Sequence, residues 1–152
     1  MKLMKSIMMT AALAMAAAVP IALPTTALAE PMPLVAGNYT SVSGIFVEDG
    51  ANFTYAKYLA DQWAKNQDFA KSKGWISDYK IYVNVDPRDG EPNIYLTQTF
   101  AEIPSGAESE KRAVEWATWR KKSEAEMDAE SGDRAKFRTV KSSMLLQEYT
   151  VR

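Results

Sequence analysis

The sequence predicts an α+β domain, a four-stranded antiparallel sheet with two helices on one face. Three observations lead there. Four segments alternate apolar and polar residues with a period of two, and two longer segments repeat apolar residues near the helical period. Their order along the chain is strand, helix, strand, strand, helix, strand. Dense turn chemistry separates the middle two strands, which makes them an antiparallel pair.

Residues 1–29 stand apart from this pattern. Lys2 and Lys5 open a short basic start, an Ala- and Met-rich apolar run follows, and Ala27-Leu28-Ala29 gives a small-x-small cleavage site before Glu30. This reads as a secretory signal peptide. Pro20 and Pro24 interrupt the run, which falls short of the ~20 apolar residues a membrane span needs. With no cysteine in the chain, lipidation at the cut is excluded. Removing 29 of the 152 residues leaves 123, enough for one domain with its own core. The expected layout is signal peptide 1–29, a short N-terminal stub 30–37 and one domain 38–152. The protein is expected outside the cytoplasm, periplasmic or secreted, with no membrane insertion after cleavage.

Within the domain, residues 38–48 carry Tyr39, Val42, Ile45, Phe46 and Val47 and stop at Asp49-Gly50, as a first strand does. Asn52 is placed to cap a helix ending at Gly74. Along it Ala56, Leu59, Ala60, Trp63 and Ala70 form the apolar face, opposite Lys57, Asp61, Lys65 and Asp68. Residues 76–86 form the second strand, with Tyr79, Ile81, Val83 and Val85 on one face. Asp86-Pro87-Arg88-Asp89-Gly90-Glu91-Pro92 is the turn, and residues 93–102 form the third strand, with Ile94, Leu96 and Phe100 aligned. The second helix spans residues 108–129 and is interrupted by Ser131-Gly132-Asp133, with a short helical continuation over residues 134–140. Residues 143–151 close the sheet, Leu145, Gln147, Tyr149 and Val151 alternating with Met144, Leu146, Glu148 and Thr150.

This is the split β-α-β order, βαββαβ, of ferredoxin-like domains. With the aromatic helix around Tyr55, Tyr58, Trp63 and Phe69 and the closing strand Met144-Leu145-Leu146-Gln147-Glu148-Tyr149, residues 38–152 resemble the dimeric α/β-barrel superfamily in topology. The resemblance implies a homodimer with sheets packed face to face, and in some members a ligand space between helix and sheet. The haem-degrading members use a histidine ligand, and this chain has none. Patterning points to the dimer independently, since the sheet face opposite the helices is expected to carry Ser41, Ser43, Tyr95 and several aliphatic residues in need of cover.

The absence of both Cys and His removes the usual zinc sites, Ser-His-Asp and Cys-His nucleophiles, and haem on an axial histidine. No cofactor or metal is expected. Asp86, Asp89 and Glu91 lack the spacing of a calcium loop and read as a turn. Without Lys2 and Lys5 the domain has 16 basic residues against 19 acidic, net −3, so it offers no excess charge for nucleic acid. Arg120-Lys121-Lys122 is followed by Glu124 and Glu126 and reads as a solvated helix side.

The remaining chemistry lies in aromatics and carboxylates. Trp63 and Trp116 sit on apolar helix faces and read as core, whereas Tyr55, Tyr58 and Trp119 flank those faces and are the candidate ligand-binding residues for an apolar or aromatic small molecule. Glu148 and Asp78 are charges on strands. They are the candidate acid–base groups, with Tyr82 or Arg120 nearby, or else edge charges that block unwanted pairing. The function expected is an exported homodimeric binding or accessory protein. The alternative is a cofactor-independent oxygenase or isomerase acting on an aromatic or lipid-like molecule.

Overall fold

The computed structural model describes residues 30–152, so the leader over residues 1–29 lies outside the described residues. Residues 32–152 form one compact unit. Its sheet has four antiparallel strands: β1 (Leu34–Val47), β2 (Asp78–Val83), β3 (Ile94–Phe100) and β4 (Arg138–Val151), in the order β2-β3-β1-β4. The fold class is α+β, as the alternation predicts. Three helices accompany the sheet, one more than the six-element pattern contains.

Helix α1 runs unbroken from Asn52 to Ser72, but not as one helix type. It is α-helical over Asn52–Tyr58, takes a π-turn over Leu59–Trp63, and is α-helical again over Ala64–Ser72. The π-turn explains why its buried face differs from the expected one. Tyr55, Leu59, Trp63 and Gln67 are spaced by four, and in a pure α-helix each such step drifts about 40° around the axis. A π-turn rotates less per residue and cancels that drift, keeping all four against the sheet. Tyr55 and Gln67 are therefore buried, while Ala56 and Ala60, expected in the apolar face, are exposed. Asn52 is the first helical residue rather than the cap, which is Ala51. Gly74 ends the helix as expected, its φ of 70° being accessible to glycine without strain.

The second predicted helix is two helices, α2 (Gly106–Arg120) and α3 (Glu124–Arg134). The break falls at Lys121, a non-glycine residue at φ 53°, and not at Ser131-Gly132-Asp133, which lie inside α3. Ser123 restarts the helix with a capping box: its hydroxyl accepts from the Glu126 N–H while the Glu126 carboxylate accepts from the Ser123 N–H. Residues 138–140, expected as helical continuation, belong to β4 instead. They pair with Ile45, Phe46 and Val47 of β1.

Register fixes the two sheet faces, because directly paired residues share a face. Ser41 pairs with Gln98, Ser43 with Leu96, and Ile45 with Ile94, while Gly44 pairs with Tyr95 and Val42 with Thr97. Leu96 and Ile45 join Val47, Tyr55, Leu59 and Trp63 in the core, so their face is the one that meets α1. Ser41 and Ser43 thus lie on the helix side, and the uncovered face carries Tyr95 without them. Strand β1 also begins earlier than predicted, because Leu34, Val35 and Ala36 pair with Val151, Thr150 and Tyr149 at the other end of the sequence.

Helices α2 and α3 have no buried residues. Helix α2 meets α1 through an aromatic cluster, Phe69 stacked on Trp119 at 4.4 Å and tilted against Trp116 at 6.0 Å, with Lys73 paired to Glu115 at 2.9 Å. Leaning on α1, it leaves part of the helix-side sheet face unfilled.

Candidate functional site

That unfilled region is a cavity of about 630 Å³. Its floor is the helix-side sheet face, where Ser41, Gln98, Phe100, Ser143 and Leu145 come from three adjacent strands. One wall is the end of α1 and the turn after it, with Ala70, Trp75 and Ile76, and the other is Pro104 just before α2 and Arg112 within it. Small or polar residues, Ser41, Ser143 and Gln98, share this floor with Phe100 and Leu145. Ser41 and Ser143 occupy positions at which core-forming side chains would close the gap.

The polar groups of the cavity are held in place. The Gln98 side-chain amide donates to the Gln67 Oε1 at 2.6 Å, and Gln67 is the one polar side chain buried in the core among the described residues. Arg112 Nε donates to Glu108 Oε1 at 2.8 Å, and its guanidinium lies 5.7 Å from the centre of the Trp75 ring. This neighbour holds the Glu108 carboxyl below the usual carboxylate range. No carboxylate lines the cavity among the described residues. The groups whose proton affinity the fold shifts are Tyr55, Tyr79, Glu108, Glu126, Glu130, Asp133 and Lys136, and all lie outside its lining.

The candidates named from sequence are spread over five places. Tyr55 is in the core, 1 % exposed, with its ring 5.5 Å from Tyr58 and 6.4 Å from Phe137. Tyr58 lines a small hollow of about 150 Å³ between the helices, together with Asn66, Trp116, Arg120, Glu130 and Arg134, and the Arg134 guanidinium sits 4.4 Å from its ring centre. Trp119 belongs to the aromatic seam between α1 and α2, beside a shallow surface hollow with Phe69, Lys73 and Val114. Glu148 lines a different hollow on the uncovered sheet face, with Thr40, Lys80, Tyr82, Thr97 and Thr99. Asp78 lies between two lysines, 3.6 Å from Lys71 and 3.7 Å from Lys80. Of the two suggested neighbours of Glu148, Tyr82 shares its hollow. Arg120 does not, being bonded to Asn66 and Glu130 among the helices.

The large cavity is lined by residues that sequence reading did not select. Trp75, just past the end of α1, carries no local signal that sets it apart from the other aromatics. Arg112 carries a legible signal, the Glu108–Arg112 spacing of four that makes an ion pair on a helix, but nothing local says that Arg112 also borders a space.

Tyr55 yields a pH prediction. Burial pushes its hydroxyl up to about 12, from an ordinary value of 10.0. The folded protein therefore keeps this proton to higher pH than the unfolded chain does. The resulting stability is complete below about pH 10 and is lost as pH rises toward about 12. Tyr79, raised by donating its hydroxyl proton to Asp68 at 2.7 Å, acts in the same direction. Urea unfolding near pH 9 and again near pH 11 is expected to show the wild type losing on the order of 1 kcal/mol more than Tyr55→Phe. Equal losses in the two proteins would show that Tyr55 ionises in the fold as it does in water.

No helix among the described residues is long and apolar enough to cross a membrane, and no group of three or more acidic side chains there is placed to hold a metal ion. Comparison with protein-family models, with curated proteins and with solved structures finds no match to this chain.

Proposed function

We propose that this is an exported, homodimeric binding protein of ferredoxin-like build, related in architecture to the dimeric α/β barrels, and that its ligand is an apolar or aromatic small molecule held between α1, α2 and the sheet. The cavity carries this reading. Its volume of about 630 Å³ falls in the range of ligand pockets, roughly 300–1,000 Å³. Trp75, Phe100, Ile76 and Leu145 supply the apolar surface, and a few fixed polar groups supply orientation. The lining favours binding over catalysis, because acid–base turnover needs a proton donor or acceptor converging on the substrate and the lining contains no carboxylate among the described residues.

The homodimer is supported by the long outer strand β4. Met144, Leu145, Leu146 and Tyr149 are each about half exposed, and they alternate between the two sheet faces. An apolar strand at a sheet edge calls for cover, and a second copy of the chain brings a surface of matching character. Export is supported by the basic start, apolar run and small-x-small cut of residues 1–29.

Native mass spectrometry of the protein purified gently from its own host tests this reading. The expected species is a dimer beginning at Glu30 and carrying a reproducible small-molecule adduct. A ligand-free monomer would remove both the cavity and the dimer from the account, leaving a module that binds another protein.

A further inference from the structure

We infer that the ligand of this cavity is an apolar or aromatic acid whose anionic head docks on Arg112 and whose flat body lies against Trp75 and Phe100. This rests on the binding reading above and adds the chemical class of the ligand.

Arg112 is the one charged side chain in the lining, and its side chain is 27 % exposed. Glu108, one turn earlier on α2, accepts from its Nε and so fixes the plane of the guanidinium. Among the described residues Glu108 is its hydrogen-bond partner, which leaves the Nη donors for another acceptor. A guanidinium held at one edge offers a fork matched to the two oxygens of a carboxylate. Glu108 itself is not among the residues that line the cavity. Arg112 is thus the charge that the lining itself presents to the space, in a domain that is negative overall.

The cost of the alternatives points the same way. A neutral apolar ligand filling the cavity would strip water from the free donors of Arg112 and give nothing back, leaving a charged group desolvated and unpaired. A cationic ligand would add repulsion. An anion with an apolar body satisfies the donors and covers Trp75, which already lies beside the guanidinium at 5.7 Å. The Ser41 hydroxyl on the floor is a further polar group within the lining.

Isothermal titration calorimetry with two nearly isosteric probes, 2-naphthoate and the neutral 2-naphthamide, tests this on the purified protein. The carboxylate is expected to bind at least about tenfold more tightly than the amide, the ratio falling as salt is raised. In Arg112→Gln the ratio should collapse to within about twofold, and Arg112→Lys, a charge without the fork, should restore part of it. Equal affinities in the wild type would overturn the anionic head while leaving the cavity reading intact. A carboxylate preference that survives in Arg112→Gln would overturn the role of Arg112. Failure of both probes to bind would overturn the cavity reading itself. If Arg112→Gln does not fold, the wild-type ratio and its salt dependence, with Arg112→Lys, decide the matter.

Discussion

Trp63→Ala is expected to lower the unfolding free energy by about 3–5 kcal/mol, the usual cost of emptying a large aromatic site in a core. Trp63 ends the π-turn of α1 and is 8 % exposed. It meets the Tyr79 ring edge-on at 5.4 Å and shares the core with Ile45, Val47, Leu59 and Leu96. These residues come from α1, β1 and β3, and β2 adds Tyr79, so one side chain joins the helix to three strands. No residue of α2 or α3 is fully buried, so these helices add no second core to compensate. Chemical denaturation of the wild type and the variant measures the difference. A loss below about 1 kcal/mol would place Trp63 outside the core.

The second large effect concerns a polar side chain. Arg120→Met should destabilise the protein by about 2–3 kcal/mol, because it removes charge-assisted bonds from a poorly solvated site while keeping most of the apolar stem. Arg120 closes α2 and its side chain is 13 % exposed. It donates to Asn66 of α1 at 2.9 Å and to Glu130 of α3 at 2.7 Å, tying three helices together. Lys122 pairs with the other oxygen of Glu130. That bond is the chief cause holding the Glu130 carboxyl below the ordinary range, with Arg120 and Arg134 adding to it. A lowered carboxyl stabilises the fold at neutral pH, and that contribution is lost as pH falls through its folded value. The gap between wild type and Arg120→Met should therefore narrow in acid. A loss confined to a few tenths of a kcal/mol would mean that α3 docks without this tie.

The two expectations differ in how far the sequence foretells them. Trp63 is legible as core, since it lies on the apolar side of a periodic segment. Arg120 is not, because in the chain it belongs to Arg120-Lys121-Lys122 before acidic residues, the pattern of a solvated face. Its burial follows from the chain turning back at Lys121, which brings Glu130 to it from 10 residues away, and from the packing of α2 on α1, which brings Asn66 from 54. That turn did leave a trace, because Ser123 and Glu126 have the spacing of a capping box. The acidic and basic run around them obscured it.

Tyr55 illustrates a different limit. Counting at the α-helical period assigns it to the flank of α1 and puts Ala56 and Ala60 in the core. The π-turn at Leu59–Trp63 reverses this by slowing the rotation of the helix. Such a turn is selected by what α1 packs against, and residues 52–72 alone contain no sign of it.

What the sequence determined by itself is local. Alternation with a period of two marked the four strands without their full lengths, amphipathic runs marked the helical segments without the break at Lys121, and Gly74 and the Asp86–Pro92 turn marked separations, because these signals act through neighbouring residues and the backbone. The absence of Cys and His was equally a property of the chain, and it bounds the chemistry in any fold. Tertiary structure alone decided which residues meet. Strand register placed Ser41 and Ser43 beneath the helices, and the pairing of Leu34 with Val151 extended the inner strand β1 along the edge strand β4. The lean of α2 toward α1 opened the space between Arg112, Trp75 and the sheet. The physical reason is that a cavity is defined by what fails to fill it, which depends on side chains brought together from Ser41 to Leu145, a separation at which sequence carries no periodicity to read.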